Sequence, residues 1–302
     1  MTMPPSPSSS SSPSSSSSAP PLLEIDRLRV DFPTETGVVR AVRDVSLTVR
    51  RGERVGLVGE SGSGKTQTGR SVLGLLRPPA RVSAARLTFD GQDLLGLSER
   101  EHRRLRGRRM AMILQDPRYS LNPVMRVGAQ VVEAIRAAEP ELSRRAARAR
   151  AREALAAVRL HDVDRVLEAW PHELSGGMGQ RVMIAMMIAL GPDLLIADEP
   201  TSALDVTVRL QVLAILDELV RARTMGLLLI SHDLPLVAGF CDRVAVLYAG
   251  RVMETVAAAD LAKARHPYTR GLMAALPSVD GPRGDLPVLD RDPAWLSEGG
   301  GP

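Results

Sequence analysis

Gly59-Glu60-Ser61-Gly62-Ser63-Gly64-Lys65-Thr66 decides how the rest of this 302-residue chain is read. The stretch fits G-x-x-x-x-G-K-[ST], the loop that cradles nucleotide phosphates. Glycines let the backbone turn tightly and aim its N–H groups inward as an anion nest. The helix that follows adds its positive N-terminal end. Lys65 is placed to reach the outer phosphates and Thr66 to ligate Mg²⁺.

The flanks supply the setting that such a loop requires. Arg54-Val55-Gly56-Leu57-Val58 reads as a short buried strand leading in. Lys65 to Leu76 predicts a helix leading out, with Val72, Leu73, Leu75 and Leu76 on one face and Arg77-Pro78-Pro79 as its stop. Lysine occurs only at Lys65 and Lys263, while arginine fills the other basic positions. A chain that otherwise uses arginine has kept lysine where a compact ammonium is needed.

Bulk properties narrow the class. The length suits one large α/β domain with appendages or two small ones, and 44% hydrophobic content is ample for a core. A net charge of +4 with 3% aromatic residues offers little base-stacking surface, so no nucleic-acid partner is expected. The single cysteine, Cys241, excludes an internal disulfide and a cysteine-based metal cluster, and its neighbour Phe240 favours a buried structural thiol. No run of about 18 apolar residues exists, so a membrane role must come through a partner.

Residues 1–21 are almost all Ser and Pro and are expected to stay disordered, without the apolar stretch of a signal peptide. Leu23 to Phe32 alternates as a half-buried strand, and a second strand pattern runs through Val45, Leu47 and Val49. Phe32 is read two ways, as a platform for a nucleotide base or as a core residue. Arg86 to Phe89 is a strand ending at Asp90-Gly91, and the basic run Glu99 to Arg109 reads as a solvated face. Met110 to Leu114 is an apolar strand that delivers Gln115 to the crevice of the sheet, within reach of metal or water. Val127 to Leu160 is helical in pattern, broken at Pro140 and recapped at Ser143, with its arginines expected to face solvent.

Three further stretches carry chemistry. Ser175-Gly176-Gly177 opens a helix and is read two ways, as a helix cap in a glycine-rich turn or as a second phosphate site, which would suggest a composite pocket. Leu194 to Ala197 is a strand buried on both faces that ends in Asp198-Glu199. Asp198 suits Mg²⁺ and Glu199 suits a general base for an attacking water. Asp205 is a natural cap for the helix from Val206. Leu227 to Ile230 presents His232 at the same sheet edge, where it can meet a γ-phosphate, and Val244 to Tyr248 is a final strand before Ala249-Gly250.

With these pieces in order, residues 22–280 resemble an ATP-binding-cassette (ABC) ATPase. Within that family, QDPRYSLNP (Gln115 to Pro123), LSGGMGQRVMIAM, PTSALDVTV (Pro200 to Val208) and HPYTRGLMAALP (His266 to Pro277) resemble the ATP-binding subunits of oligopeptide and dipeptide importers. The resemblance implies an α/β P-loop cassette with a mixed sheet core, an antiparallel β subdomain and an inserted helical subdomain at about 124–180. The tail 281–302 is expected to be ordered only in part. It implies ATP and Mg²⁺ as cofactors, with Gln115 and Asp198 on the metal or lytic water, Glu199 as base and His232 on the γ-phosphate. Two subunits, identical or different, would close over two ATP molecules, each held between one P-loop and the other's Ser175-Gly176-Gly177, with Asp205 communicating across. Two transmembrane permeases and, indirectly, an extracytoplasmic solute-binding protein would complete a system at the cytoplasmic face of the membrane. Two features depart from the pattern: Gly179 stands where a larger residue is usual, and the family's cysteine-containing C-terminal segment is missing. The runner-up reading is a non-transport ABC ATPase acting on nucleic acid or the ribosome.

Overall fold

The computed structural model describes residues 20–115, 120–202, 204–276 and 291–296. The Ser/Pro-rich stretch expected to be disordered falls outside them apart from positions 20 and 21, as does most of 281–302.

The alternating stretch near the start forms strand β1 (Leu23–Thr34), which turns into β2 (Gly37–Val49) as an antiparallel hairpin. β3 (Arg54–Val58) leads through the glycine-rich loop into α1 (Lys65–Val72). Then come β4 (Arg81–Ser83), β5 (Arg86–Phe89), β6 (Gln92–Asp93), α2 (Glu99–Leu105) and β7 (Met110–Ile113). Among the described residues four longer helices follow without a strand between them: α3 (Val127–Ala138), α4 (Arg144–Ala157), α5 (Val163–Glu168) and α6 (Gly176–Ile188). The chain returns to the sheet through β8 (Leu194–Asp198), α7 (Val206–Arg223), β9 (Gly226–Ser231), α8 (Leu234–Phe240), β10 (Arg243–Tyr248) and β11 (Arg251–Ala257), and α9 (Pro267–Ala274) comes after it.

One sheet in the order β6-β5-β1-β2-β11-β10-β3-β9-β8-β7 joins two halves. β1, β2, β4, β5 and β6 pair antiparallel, while β10, β3, β9, β8 and β7 run parallel. Arg251 opposite Asp44 is the position paired between β11 and β2, where the halves meet. The continuous apolar runs of the parallel strands divide by parity between two cores, as a period of two requires. Ala111, Ile113, Leu195, Ala197, Leu227, Leu229, Val244 and Val246 face the helices α3 to α8. Met110, Met112, Leu194, Ile196, Leu228, Ile230, Ala245 and Leu247 face α1 and the antiparallel strands.

Three expectations are corrected. The helix after the loop ends at Val72, not at Leu76. Gly74 takes φ +59°, and the bonds Gly74 N–H to Ser71 O and Leu75 N–H to Arg70 O close a Schellman cap, leaving Leu75 exposed. The basic run 99–109 is no simple solvated face. Arg106 donates to the carbonyls of Leu73 and Gly74 at 2.7 and 2.8 Å, tying down the end of α1. Arg109 bonds Asp193 and Asp90 and lies 5.2 Å over the Phe89 ring. Among the arginines of the helical segment, Arg150 turns inward to the Ala189 carbonyl (2.7 Å) and to Glu139.

Cys241 is buried, and burial pushes its thiol up to about 12, so it stays protonated as a packing group. It lies against Gly56, where an added Cβ would come within 2.2 Å of Val237 Cγ1. The glycine therefore lets α8 rest directly on β3. Gly56→Ala is expected to lower stability by about 1–3 kcal/mol, read as a fall in the thermal unfolding midpoint. An unchanged midpoint would show that α8 can shift without cost.

Candidate functional site

Parallel strands in register end together, so their C-terminal residues share one edge of the sheet. In the order β3-β9-β8-β7 this edge carries the glycine-rich loop, His232, the pair Asp198-Glu199 and Gln115. The loop is pressed against its surroundings. A Cβ on Gly59 (φ +152°) would sit 2.0 Å from the Leu247 carbonyl, and one on Gly64 (φ +105°) 2.4 Å from the Ala41 carbonyl. Ser61 and Gly62 are exposed, whereas Ser63 is buried.

Lys65 is buried, with its ammonium donating to the carbonyls of Gly59 and Glu60, both at 2.8 Å, and 3.5 Å from Ser63 Oγ. Burial holds its pKa below the ordinary lysine value, against the opposing pull of Glu199, Asp198 and Glu60. Thr66 Oγ1 donates to Asp198 Oδ1 at 3.2 Å. Burial raises the Asp198 carboxyl; the Thr66 bond works against this, and the neighbouring Glu199 charge adds to it. An ammonium and a carboxylate both disfavoured by burial mark a site short of the charges that complement them: an anion for one, a cation for the other.

Glu199 follows β8 at φ +47°, in the left-handed region where a non-glycine residue is strained. Its N–H is fixed to the Ile230 carbonyl at 2.9 Å. Both carboxylate oxygens are engaged, one 2.9 Å from His232 Nδ1 and the other accepting from Gln115 Nε2 at 3.3 Å. Ser61, Gly62, Gly64, Lys65, Thr66, Gln115, Glu199 and His232 line a cavity of about 620 Å³ together with Ala41 and Gln67.

Other expected site residues lie elsewhere. Phe32 is half-buried on β1, packed against the core beneath the antiparallel strands, and does not line this cavity. Ser175 caps α6, accepting from Met178 N–H at 3.3 Å, and Gly177 lies so close to α7 that a Cβ would meet Val208 Cγ1 at 2.7 Å. Gly179 sits within the continuous α6, its N–H bonded to the Ser175 carbonyl at 2.9 Å. Asp205 caps α7 through Val208 N–H at 3.0 Å. Ser175, Gly176 and Asp205 are exposed and outside the cavity. Ala41 and Gln67 are cavity residues that sequence reasoning missed. Gln67 follows the motif directly and was legible from it; Ala41 arrives only through the β1–β2 hairpin.

The groups fit a magnesium–triphosphate ligand. The loop and Lys65 supply the anion site. Thr66 and Asp198 present hydroxyl and carboxylate oxygens 3.2 Å apart, and Thr66 and Gln115 both line the cavity. Among the described residues, no cluster of three or more His, Cys, Asp or Glu could hold a metal alone.

The ABC transporter profile matches residues 42–202. The oligopeptide transport ATP-binding protein OppD of Salmonella typhimurium is 45% identical over 276 residues, covering 91% of this chain and 82% of OppD. The dipeptide transport ATP-binding protein DppD of Escherichia coli is 49% identical over 257 residues, covering 85% and 78%. Among solved structures, the dimeric bacterial ABC transporter cassette MJ0796 superposes with a TM-score of 0.70 at 26% identity, covering 78% of this chain and 98% of the cassette.

The raised Asp198 carboxyl gives a stability prediction. The folded state binds this proton more readily than the unfolded state, so stability falls as pH rises through the raised pKa. Asp198→Asn removes that cost, and in nucleotide-free protein at pH 7 it should raise the unfolding midpoint by about 2 °C or more. A lowered midpoint would show that the Thr66 bond outweighs the burial.

Proposed function

The chain belongs to the ABC transporter family, among its oligopeptide and dipeptide ATP-binding proteins, and from that premise we propose that it powers the uptake of peptides or related small solutes through partner permeases. The observation that carries the reading is the convergence of Gln115 and His232 on the two oxygens of Glu199 at the mouth of the loop cavity.

In the proposed mechanism the loop N–H groups and Lys65 hold the β- and γ-phosphates of ATP, and Lys65 exchanges its carbonyl partners for phosphate oxygens. Thr66, Asp198 and Gln115 would hold Mg²⁺, which when bound would neutralise phosphate charge. Glu199 accepts a proton from the attacking water. His232, hydrogen-bonded to Glu199, orients that carboxylate and lies where the γ-phosphate arrives. Phe32 is assigned a base contact outside the cavity wall.

A second ATP-binding subunit supplies the missing wall. Its Ser175-Gly176-Gly177 turn, exposed at the start of α6, closes over the nucleotide, and Asp205 communicates across the joint. The dimeric form of the related cassette supports this arrangement. Among the described residues no helix is long and apolar enough to cross a membrane, and in this reading the transported solute passes through partner permeases. ATP binding then favours the closed pair of subunits over the open one, and that shift drives the permeases.

Glu199→Gln should retain MgATP binding and lose turnover by about a hundredfold or more, with a closed dimer accumulating on size-exclusion chromatography. Normal turnover in this variant would remove Glu199 from the base role. Lys65→Ala should abolish nucleotide binding measured by calorimetry, and wild-type affinity there would overturn the phosphate site. Deletion of the chain should stop uptake of labelled di- and oligopeptides by cells that otherwise import them.

A further inference from the structure

Glu60 has three polar groups, and each is held by a different part of the chain. Its carbonyl accepts from the Lys65 ammonium at 2.8 Å. Its N–H donates to the Tyr268 hydroxyl at 3.4 Å. Its carboxylate pairs with Arg291 at 3.0 Å. The lysine that is to meet the phosphates is therefore two bonds away from Tyr268 and Arg291, which are distant in sequence.

Those residues belong to one assembly. Tyr268, fully buried at the start of α9, stacks obliquely on Tyr248 with ring centroids 4.6 Å apart. Trp295 lies edge-on to both rings at 5.8 Å and 5.6 Å from His266, whose Nδ1 caps α9 by accepting from Tyr268 N–H. The whole chain has only three tyrosines and two tryptophans, so gathering three of them here is a built contact in an otherwise aliphatic protein. Residues 291–296 thus approach the phosphate loop with a charge at one end and an indole four residues later.

We propose that Arg291–Leu296 is a C-terminal strap that positions the phosphate loop through Glu60, with Arg291 and Trp295 as positioning residues for nucleotide binding. This rests on reading Gly59–Thr66 as the triphosphate site. Arg291 fixes the Glu60 side chain, and Trp295 holds Tyr268 where its hydroxyl receives the Glu60 N–H. Together they set the carbonyl from which Lys65 must be released when phosphate arrives. The strap acts on how well ATP is held, since it touches neither Glu199, His232 nor Gln115.

The test uses the full-length chain. Trp295→Ala and Arg291→Glu should each raise the KM and Kd for MgATP about fivefold, with kcat within about twofold of wild type. Trp295→Phe, which keeps the ring contact, should restore most of the affinity. The exchange Glu60→Arg with Arg291→Glu should recover affinity lost in either single variant, which a merely structural role for the tail would not produce. In a Trp170→Phe background Trp295 is the sole tryptophan, and its emission should shift on adding MgATP. The strap is refuted by unchanged KM in both single variants, by a fall in kcat alone, or by unresponsive Trp295 emission while calorimetry shows MgATP bound. Failure of the wild-type chain itself to bind MgATP would instead overturn the reading of the phosphate loop.

Discussion

A buried ammonium lies at the centre of this molecule. Lys65 is removed from water and rests on two backbone carbonyls of its own loop, and its pKa is depressed as a result. Dipoles alone are poor partners for a desolvated charge. The arrangement is a holding position that a polyanion can relieve, and the cavity beside it is the space in which that exchange takes place. Asp198 is the mirror case: an acid that burial pushes toward its neutral form until a cation arrives. Charge frustration of this kind costs stability and is repaid when ligand binds.

The sheet turns that local tension into chemistry. Register pairs Val58 with Ser231, Ile230 with Asp198 and Ala197 with Ile113, so neighbouring strands stop at nearly one level. Residues far apart in sequence consequently meet within hydrogen-bond distance: Gln115 and His232 reach opposite oxygens of Glu199. Rigidity comes from beneath, where alternate residues of each strand enter two separate cores. The strained backbone of Glu199 persists because the Ile230 carbonyl and those packed strands hold it.

The arginines show how composition translates into structure in a protein with almost no lysine. Arg106 covers the last carbonyls of the phosphate-loop helix, Arg109 joins β7 to Asp90 and Asp193, and Arg54 bridges Asp217 and Asp242. Several donors on one planar group allow a single side chain to join three segments, which a lysine does not do. From the sequence Arg106 and Arg109 looked like part of a solvated face, and Arg54 like the first residue of a buried strand. Their partners lie tens of residues or more away, and no local pattern announces them.

What the sequence determined by itself was the local chemistry: strand, glycine loop and helix around Lys65, buried runs ending in Gln115, Asp198-Glu199 and His232, and capped helix starts at Ser143, Ser175 and Asp205. These follow from backbone conformation and side-chain period, which act over a few residues. Tertiary structure alone decided which strand ends are neighbours, that Ala41 completes the cavity, that Gly74 ends the first helix beneath His102, and that Tyr268 and Arg291 reach Glu60. The physical reason is the range of the forces involved. Hydrogen bonding and sterics along the chain leave a periodic trace, whereas contacts between distant segments are selected by packing of the whole and leave none.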